Sequence, residues 1–209
     1  MNRFGKGIAI AIEGLDKSGK KTQSEILMKR LKDEGFQVEL ISFPDYSTPI
    51  GREIRASLTE ERIYSIRVRH LLLATNRWER YEDIKGWLQE GKVVILNRYS
   101  QSNLAYGLAN GLSLSWLINL ERGLPKAKLV IVIDISPQTS LLRSKFDRDV
   151  HERDLNFLAR VRENYLNLAK RYSWKVIDGE RSINDVAEDI WRIVHQYITD
   201  QKFKIYANH

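Results

Sequence analysis

The chain has 209 residues, of which 43% are hydrophobic and 29% charged, as in a single soluble globular domain. No apolar run approaches the length of a membrane span, and the polar start at residues 1–6 lacks the apolar segment of a signal peptide. The absence of cysteine excludes disulfides and thiolate metal sites, and it fits a cytoplasmic protein. The net charge of +7 comes from basic residues spread along the chain, which argues against a nucleic-acid-binding protein.

Five apolar strands alternate with helices along the chain. The strands are predicted at 7–13, 36–43, 92–96, 129–134 and 174–178. Helices are predicted at 22–34, 50–58, 63–89, 157–172 and 183–197, with further helices in 100–120 that break near Asn110 and Gly111 and one that begins near Pro137. This alternation predicts an α/β fold with a doubly wound, five-stranded parallel sheet and helices on both faces. Ligands are then expected beyond the carboxyl ends of the strands.

The strongest motif lies between the first strand and the first helix. The segment from Gly14 to Thr22 has the G-x-x-x-x-G-K spacing of a phosphate-binding loop (P-loop), in which backbone N–H groups and Lys20 contact phosphates. Lys21 departs from the pattern, because this position usually carries a Ser or Thr hydroxyl that binds Mg²⁺. Thr22 could supply that hydroxyl, or the metal could be held mainly by ATP phosphates and water.

Three further segments are weaker signals. Arg98, in the Asn97-Arg98-Tyr99 segment, follows the third strand and could brace phosphates beside the P-loop. Arg77 shares a helical face with Leu73, and its planar guanidinium suits an acceptor phosphate, although such a face is often only solvated. The Phe43-Pro44 segment, taken alone, is typical of an ordinary loop.

Taken in order, the motifs resemble the thymidylate kinase family nearly from end to end, and its eukaryotic-type branch most. The motifs that carry the resemblance are the P-loop with Asp16, then residues 43–44 with 47–48, 76–79, 98–99, 123–126 and 151–153. The resemblance implies a single three-layer P-loop kinase domain over 1–209, with a lid at about 145–154. It also implies ATP and Mg²⁺ as cofactors and a homodimer.

The resemblance assigns roles to individual residues. Catalytic roles fall to Lys20, Arg98, Lys17 and Asp16. ATP binding is implied for Gly14, Leu15, Asp16, Lys17, Ser18, Gly19, Lys20, Lys21, Thr22, Arg143 and Arg181. Binding of dTMP is implied for Asp16, Phe43, Pro44, Tyr46, Leu73, Arg77, Arg98, Ser102 and Tyr106. Arg148 and Arg153 are candidate lid cations, and Thr22 and Asn97 are candidate metal-side groups.

Four positions depart from the family pattern. Lys21 replaces the metal-binding hydroxyl, and Asn97 stands where an aspartate is expected. Tyr46 replaces an arginine, and Leu73 replaces a phenylalanine that stacks on thymine. The implied reaction is phosphorylation of dTMP to dTDP by ATP. The alternatives are a broader kinase for pyrimidine deoxynucleotides such as dUMP, or a weakly catalytic nucleotide-binding paralogue.

Overall fold

A single parallel sheet of five strands organises the chain. The computed structural model describes residues 7–144 and 154–207, and it describes side chains up to residue 200. The strands are β1 (Ile8–Gly14), β2 (Val38–Ser42), β3 (Val93–Asn97), β4 (Leu129–Asp134) and β5 (Lys175–Asp178). Their order in the sheet is β2-β3-β1-β4-β5, and all neighbouring pairs are parallel. The predicted doubly wound sheet is therefore confirmed.

Helices cover both faces of this sheet. Within the described residues they are α1 (Lys20–Asp33), α2 (Pro49–Leu58), α3 (Ile66–Glu79), α4 (Tyr81–Gln89), α5 (Ser100–Ala109), α6 (Leu114–Leu120), α7 (Pro137–Arg143), α8 (Leu155–Tyr172) and α9 (Ile183–Ala207). None of these combines the length and the apolar character needed to cross a bilayer.

The side chains of β1 show how the layers are built. Ile10 and Ile12 point to the face covered by α1 and α9, while Ala9 and Ala11 point to the opposite face. Every residue of β1 is buried, because the strand lies at the centre of the sheet with helices on either side. The chain leaves β1 between β3 and β4, so the P-loop lies where the strand order reverses, which is the usual place for a ligand.

Several predicted boundaries differ from the structure, among them the end of the last helix, which runs to Ala207 and not to 197, and two differences concern the site. The helix predicted at 63–89 is interrupted at Arg80, whose side chain donates to Asp45 at 2.7 Å and to Asp83 at 3.0 Å. The first helix begins at Lys20, so Lys20, Lys21 and Thr22 form its first turn. Most of the predicted lid, with Arg148 and Arg153, lies outside the described residues.

Candidate active site

The P-loop connects β1 to α1 through a tight turn. Gly14 and Gly19 have φ values of 139° and 90°, and a Cβ added at Gly14 would collide with the carbonyl of Ile133. The Lys20 ammonium donates to the Leu15 carbonyl at 2.5 Å and to Ser18 Oγ at 3.4 Å. The loop therefore brings the N-terminus of α1 and a lysine to one point, as anion binding requires.

A cleft with a strong positive charge opens above this loop. We call it the cationic cleft; it is lined by Asp16, Lys17, Gly19, Lys20, Lys21, Thr22, Phe43, Asn97, Arg98 and Arg143. Arg143 belongs to α7 and donates to the Lys17 carbonyl at 3.3 Å. The cleft thus gathers cations from the P-loop, from the end of β3 and from α7.

A second cavity adjoins the first and is lined mainly by rings and apolar groups. We call it the aromatic cavity; its walls are Asp16, Phe43, Pro44, Tyr46, Leu58, Arg69, His70, Leu73, Arg77, Arg98, Tyr99, Ser102, Asn103, Tyr106, Asn110, Phe157 and Leu158. All nine residues predicted to bind the acceptor nucleotide line this cavity. Segments far apart in the chain are therefore brought together as the motif order suggested.

Asp16 and Arg98 line both cavities and join them. Their side chains form an ion pair, and the Tyr106 hydroxyl donates to the second Asp16 oxygen at 2.9 Å. Arg98 also lies 3.4 Å from Ser102 Oγ, and its φ of 61° is unusual for a residue with a side chain. Such backbone conformations concentrate at functional sites, where the surroundings hold them in place.

Glu13, which the sequence analysis did not single out, lies behind this pair. Its carboxylate has 0% exposure and accepts hydrogen bonds from Tyr99 N (2.7 Å), Ser102 Oγ (2.6 Å) and the Tyr165 hydroxyl (3.0 Å). Burial raises the pKa of Glu13, while the bond from Ser102 and the nearby Arg98 charge oppose that rise. An acidic residue at the end of an apolar strand is the signal that could have identified it.

A buried polar network forms the far wall of the aromatic cavity. Arg77 donates from Nε to Glu121 at 2.9 Å and makes a second contact from Nη2, and the two side chains are 3% and 7% exposed. Asn103 donates to Glu121 at 2.7 Å and accepts from His70 Nδ1 at 2.6 Å, and Asn110 lies 3.2 Å from His70 Nε2. Burial lowers the pKa of His70. Arg77 therefore faces the cavity as part of an ion pair.

The loop after β2 is fastened to α3. Asp45 N donates to Asn76 Oδ1 at 2.7 Å, and the Thr48 hydroxyl donates to Glu79 at 2.6 Å. Asn76 Nδ2 returns a bond to Thr48 Oγ1 at 2.8 Å. The Phe43-Pro44 peptide bond is cis, and Tyr46 packs beneath the Arg55 guanidinium. The segment is more than the ordinary loop that its sequence alone indicates, because it forms a wall of the aromatic cavity.

Two predicted groups lie apart from the rest. Arg181 pairs with Asp178 and Asp189, and it lines neither cavity, so its role in ATP binding stays a prediction. Gly14, Leu15 and Ser18 belong to the P-loop, but they do not line the cationic cleft. Thr22 and Asn97 do line it.

Comparisons with known proteins agree with this geometry. The thymidylate kinase family model matches residues 12–190. A thymidylate kinase of Schizosaccharomyces pombe is 33% identical, covering 93% of this chain and 94% of that protein, and one of Danio rerio is 34% identical, covering 88% of each. The solved thymidylate kinase of Candida albicans superposes with a TM-score of 0.82 at 31% identity over 94% of both chains. On the strength of sequence, fold and cavity alike, the chain belongs to the thymidylate kinase family.

Proposed function

We propose that this protein transfers the γ-phosphoryl group of ATP to the 5′-phosphate of dTMP. An oxygen of the dTMP phosphate forms the new bond to the γ-phosphorus, the bond from that phosphorus to the β–γ bridging oxygen breaks, and ADP and dTDP leave. One observation carries the proposal: a P-loop cleft and a nucleoside-sized aromatic cavity meet at Asp16 and Arg98.

Positioning and charge supply most of the catalysis in such a transfer. Lys20 and the N–H groups at the start of α1 are suited to hold the donor phosphates. Arg98 stands between the two cavities, where it can offset the repulsion between donor and acceptor anions. No protein nucleophile or general base is needed, because the acceptor phosphate is already ionised.

The aromatic cavity supports a nucleoside monophosphate as the acceptor. Tyr106 packs edge-on to Phe157 and Tyr165, and its hydroxyl donates to Asp16 at 2.9 Å. The solved thymidylate kinase of Candida albicans is described as having broad substrate specificity, which is a property of that protein. The comparisons favour dTMP over a broader set of acceptors here. Leu73 lines the cavity in place of the phenylalanine that stacks on thymine in the family, so the selectivity for the base should be measured.

The described residues do not fit direct coordination of Mg²⁺. No cluster of three or more His, Asp or Glu side chains that could hold a metal occurs in residues 7–144 and 154–200. In the cationic cleft, Thr22 and Asn97 offer only neutral oxygens, and Asp16 is paired with Arg98. Mg²⁺ would therefore enter with the ATP phosphates and its own waters, where it neutralises phosphate charge.

We also propose that the protein forms a homodimer through α3 and α6. Val68, Leu71 and Trp78 lie on one face of α3 and are exposed by 37%, 42% and 38%, and Ile118 of α6 is equally exposed. Leu71→Glu should convert a dimer to a monomer in light scattering, whereas Leu142→Glu on α7 should not. A monomeric wild-type protein would contradict this proposal.

A cytoplasmic location stays a prediction.

An assay across acceptors tests the proposed reaction. The protein is incubated with ATP and MgCl₂, each monophosphate is offered in turn, and the diphosphate formed is measured. We expect dTMP to give the largest kcat/KM. Equal rates with dUMP would support the broader kinase. Tight ATP binding with no diphosphate from any acceptor would support the weakly catalytic paralogue instead.

A further inference from the structure

The lining of the cationic cleft carries a lysine that the usual P-loop pattern does not have. Within the described residues, the cationic side chains that line the cleft are Lys17, Lys20, Lys21, Arg98 and Arg143. Among these same residues the one carboxylate is Asp16, which pairs with Arg98 and accepts a bond from Tyr106. Lys21 therefore adds a positive charge at a position where a neutral hydroxyl is usual.

Both positions that usually face the metal in P-loop enzymes carry other groups here. The residue after the P-loop lysine normally supplies a hydroxyl to Mg²⁺, and Lys21 places an exposed ammonium there, in the first turn of α1. A strand-end aspartate normally supplies the second ligand. Asn97 ends β3 beside β1, and its side chain is a neutral amide.

The orientation of Asn97 is fixed by the sheet. Its Nδ2 donates to Ser42 Oγ at 3.0 Å, and its Oδ1 is buried with no hydrogen-bond partner among the described residues. A buried amide oxygen of this kind can accept a bond from water, but it adds no negative charge to hold a divalent cation. Neither position 21 nor position 97 therefore supplies a negative charge that would help to hold a metal ion.

We infer that the donor site binds metal-free ATP at least as tightly as MgATP, with the Lys21 ammonium supplying part of the charge that Mg²⁺ supplies elsewhere. This inference rests on the proposed function, since it concerns the same ATP site. Mg²⁺ halves the negative charge of ATP and places a dication close to Lys21, and both changes weaken the attraction between ATP and the lysines of the cleft. Metal-free ATP should therefore bind at least as tightly as MgATP.

Calorimetry on the full chain tests this inference. The Kd of ATP is measured in MgCl₂ and in EDTA for the wild type and for Lys21→Thr, Lys21→Met and Lys29→Thr. Removing the Lys21 charge should weaken the binding of metal-free ATP by about tenfold. Lys21→Thr should also bind MgATP more tightly than Lys21→Met, because only threonine offers a hydroxyl. Lys29→Thr is the matched control, since Lys29 is exposed farther along α1 and lines neither cavity.

Asn97→Asp tests the other metal-side position. The added carboxylate should weaken the binding of metal-free ATP by about tenfold, so that the site prefers MgATP more than the wild type does. We also expect this variant to gain Mg²⁺-dependent phosphoryl transfer. Circular dichroism confirms that each variant is folded before its binding is compared.

The outcomes separate the inference from the proposed function. Wild-type protein that binds ATP measurably tighter in MgCl₂ than in EDTA overturns the inference and leaves the kinase proposal standing. An unchanged ratio of the two Kd values in Lys21→Thr, Lys21→Met and Asn97→Asp also overturns it. Failure to bind ATP in either buffer defeats both proposals.

Discussion

The two halves of the site are built from different materials. The cationic cleft comes largely from one continuous segment, the P-loop and the first turn of α1, with charges added by Arg98 and Arg143. The aromatic cavity takes its walls from the loop after β2 and from α2, α3, α5 and α8, and a buried hydrogen-bond network joins His70, Asn103 and Glu121 at its far wall. The cleft selects for charge and the cavity for shape, so mutations in the two should change different kinetic constants.

Arg98→Ala removes the one cation among the described residues that lines both halves. We expect kcat to fall by about 10³-fold, because a cation aimed at the transferring group contributes on that scale. Steady-state kinetics with saturating ATP and dTMP measures the loss. Arg122→Ala, which replaces an exposed arginine beyond α6, should retain wild-type kcat. Near-normal activity in Arg98→Ala would defeat the catalytic role of this residue.

Glu13→Gln tests whether the support behind that cation matters. The carboxylate holds Tyr99 N, Ser102 and Tyr165 in place, so its loss should misplace Arg98 and lower kcat by roughly 10- to 100-fold. The KM for ATP should change little, because Glu13 does not line the cleft. Reduced stability in chemical denaturation together with an unaltered kcat would make Glu13 a purely structural residue.

Leu73→Phe confines the change to the aromatic cavity. A ring at this position could stack on the acceptor base, and we expect the KM for dTMP to fall by about tenfold because stacking contributes roughly 1–3 kcal/mol per base. The KM for ATP should stay constant. Leu72→Phe is the control, since Leu72 is the neighbour that does not line the cavity. Equal shifts in both KM values would mean that the two halves do not act separately.

His70→Gln addresses the stability of the cavity wall. Burial lowers the pKa of His70 in the folded protein, so the unfolded chain takes up a proton as pH falls below about 6.5 while the folded protein resists. The wild type should therefore lose unfolding free energy as pH falls below 6.5, and His70→Gln should lose less. Denaturant titrations above and below that pH measure the two slopes. The exposed His195 offers His195→Gln as the control, which should keep the wild-type slope.

The parts of the site that follow from the sequence are the local ones. The P-loop could be predicted because its glycines, Lys20 and the flanking strand and helix are consecutive, so chain geometry alone brings them together. The order of the remaining motifs predicted the walls of the aromatic cavity only through the family resemblance. Sequence spacing cannot place α3 beside the loop after β2, because that contact depends on how helices pack against the sheet.

The residues that escaped prediction share a buried, long-range partner. Glu121 pairs with Arg77 across 44 positions of sequence, and Glu13 accepts a bond from Tyr165 across 152. A lone acidic residue in an apolar strand is visible in the sequence, but its donors are not. For Arg77, the pattern on α3 was compatible with a solvated helix face. It gave no sign that the side chain would be buried in an ion pair with a carboxylate.

The bonds that fasten the loop after β2 to α3 have a mechanical consequence. Asn76 and Glu79 hold Asp45 and Thr48, so two walls of the aromatic cavity behave as one rigid body. The loop is already ordered by these bonds, so nucleotide binding has to order it little further. Any widening or narrowing of the cavity during turnover must then come from movements of elements outside this fastened unit.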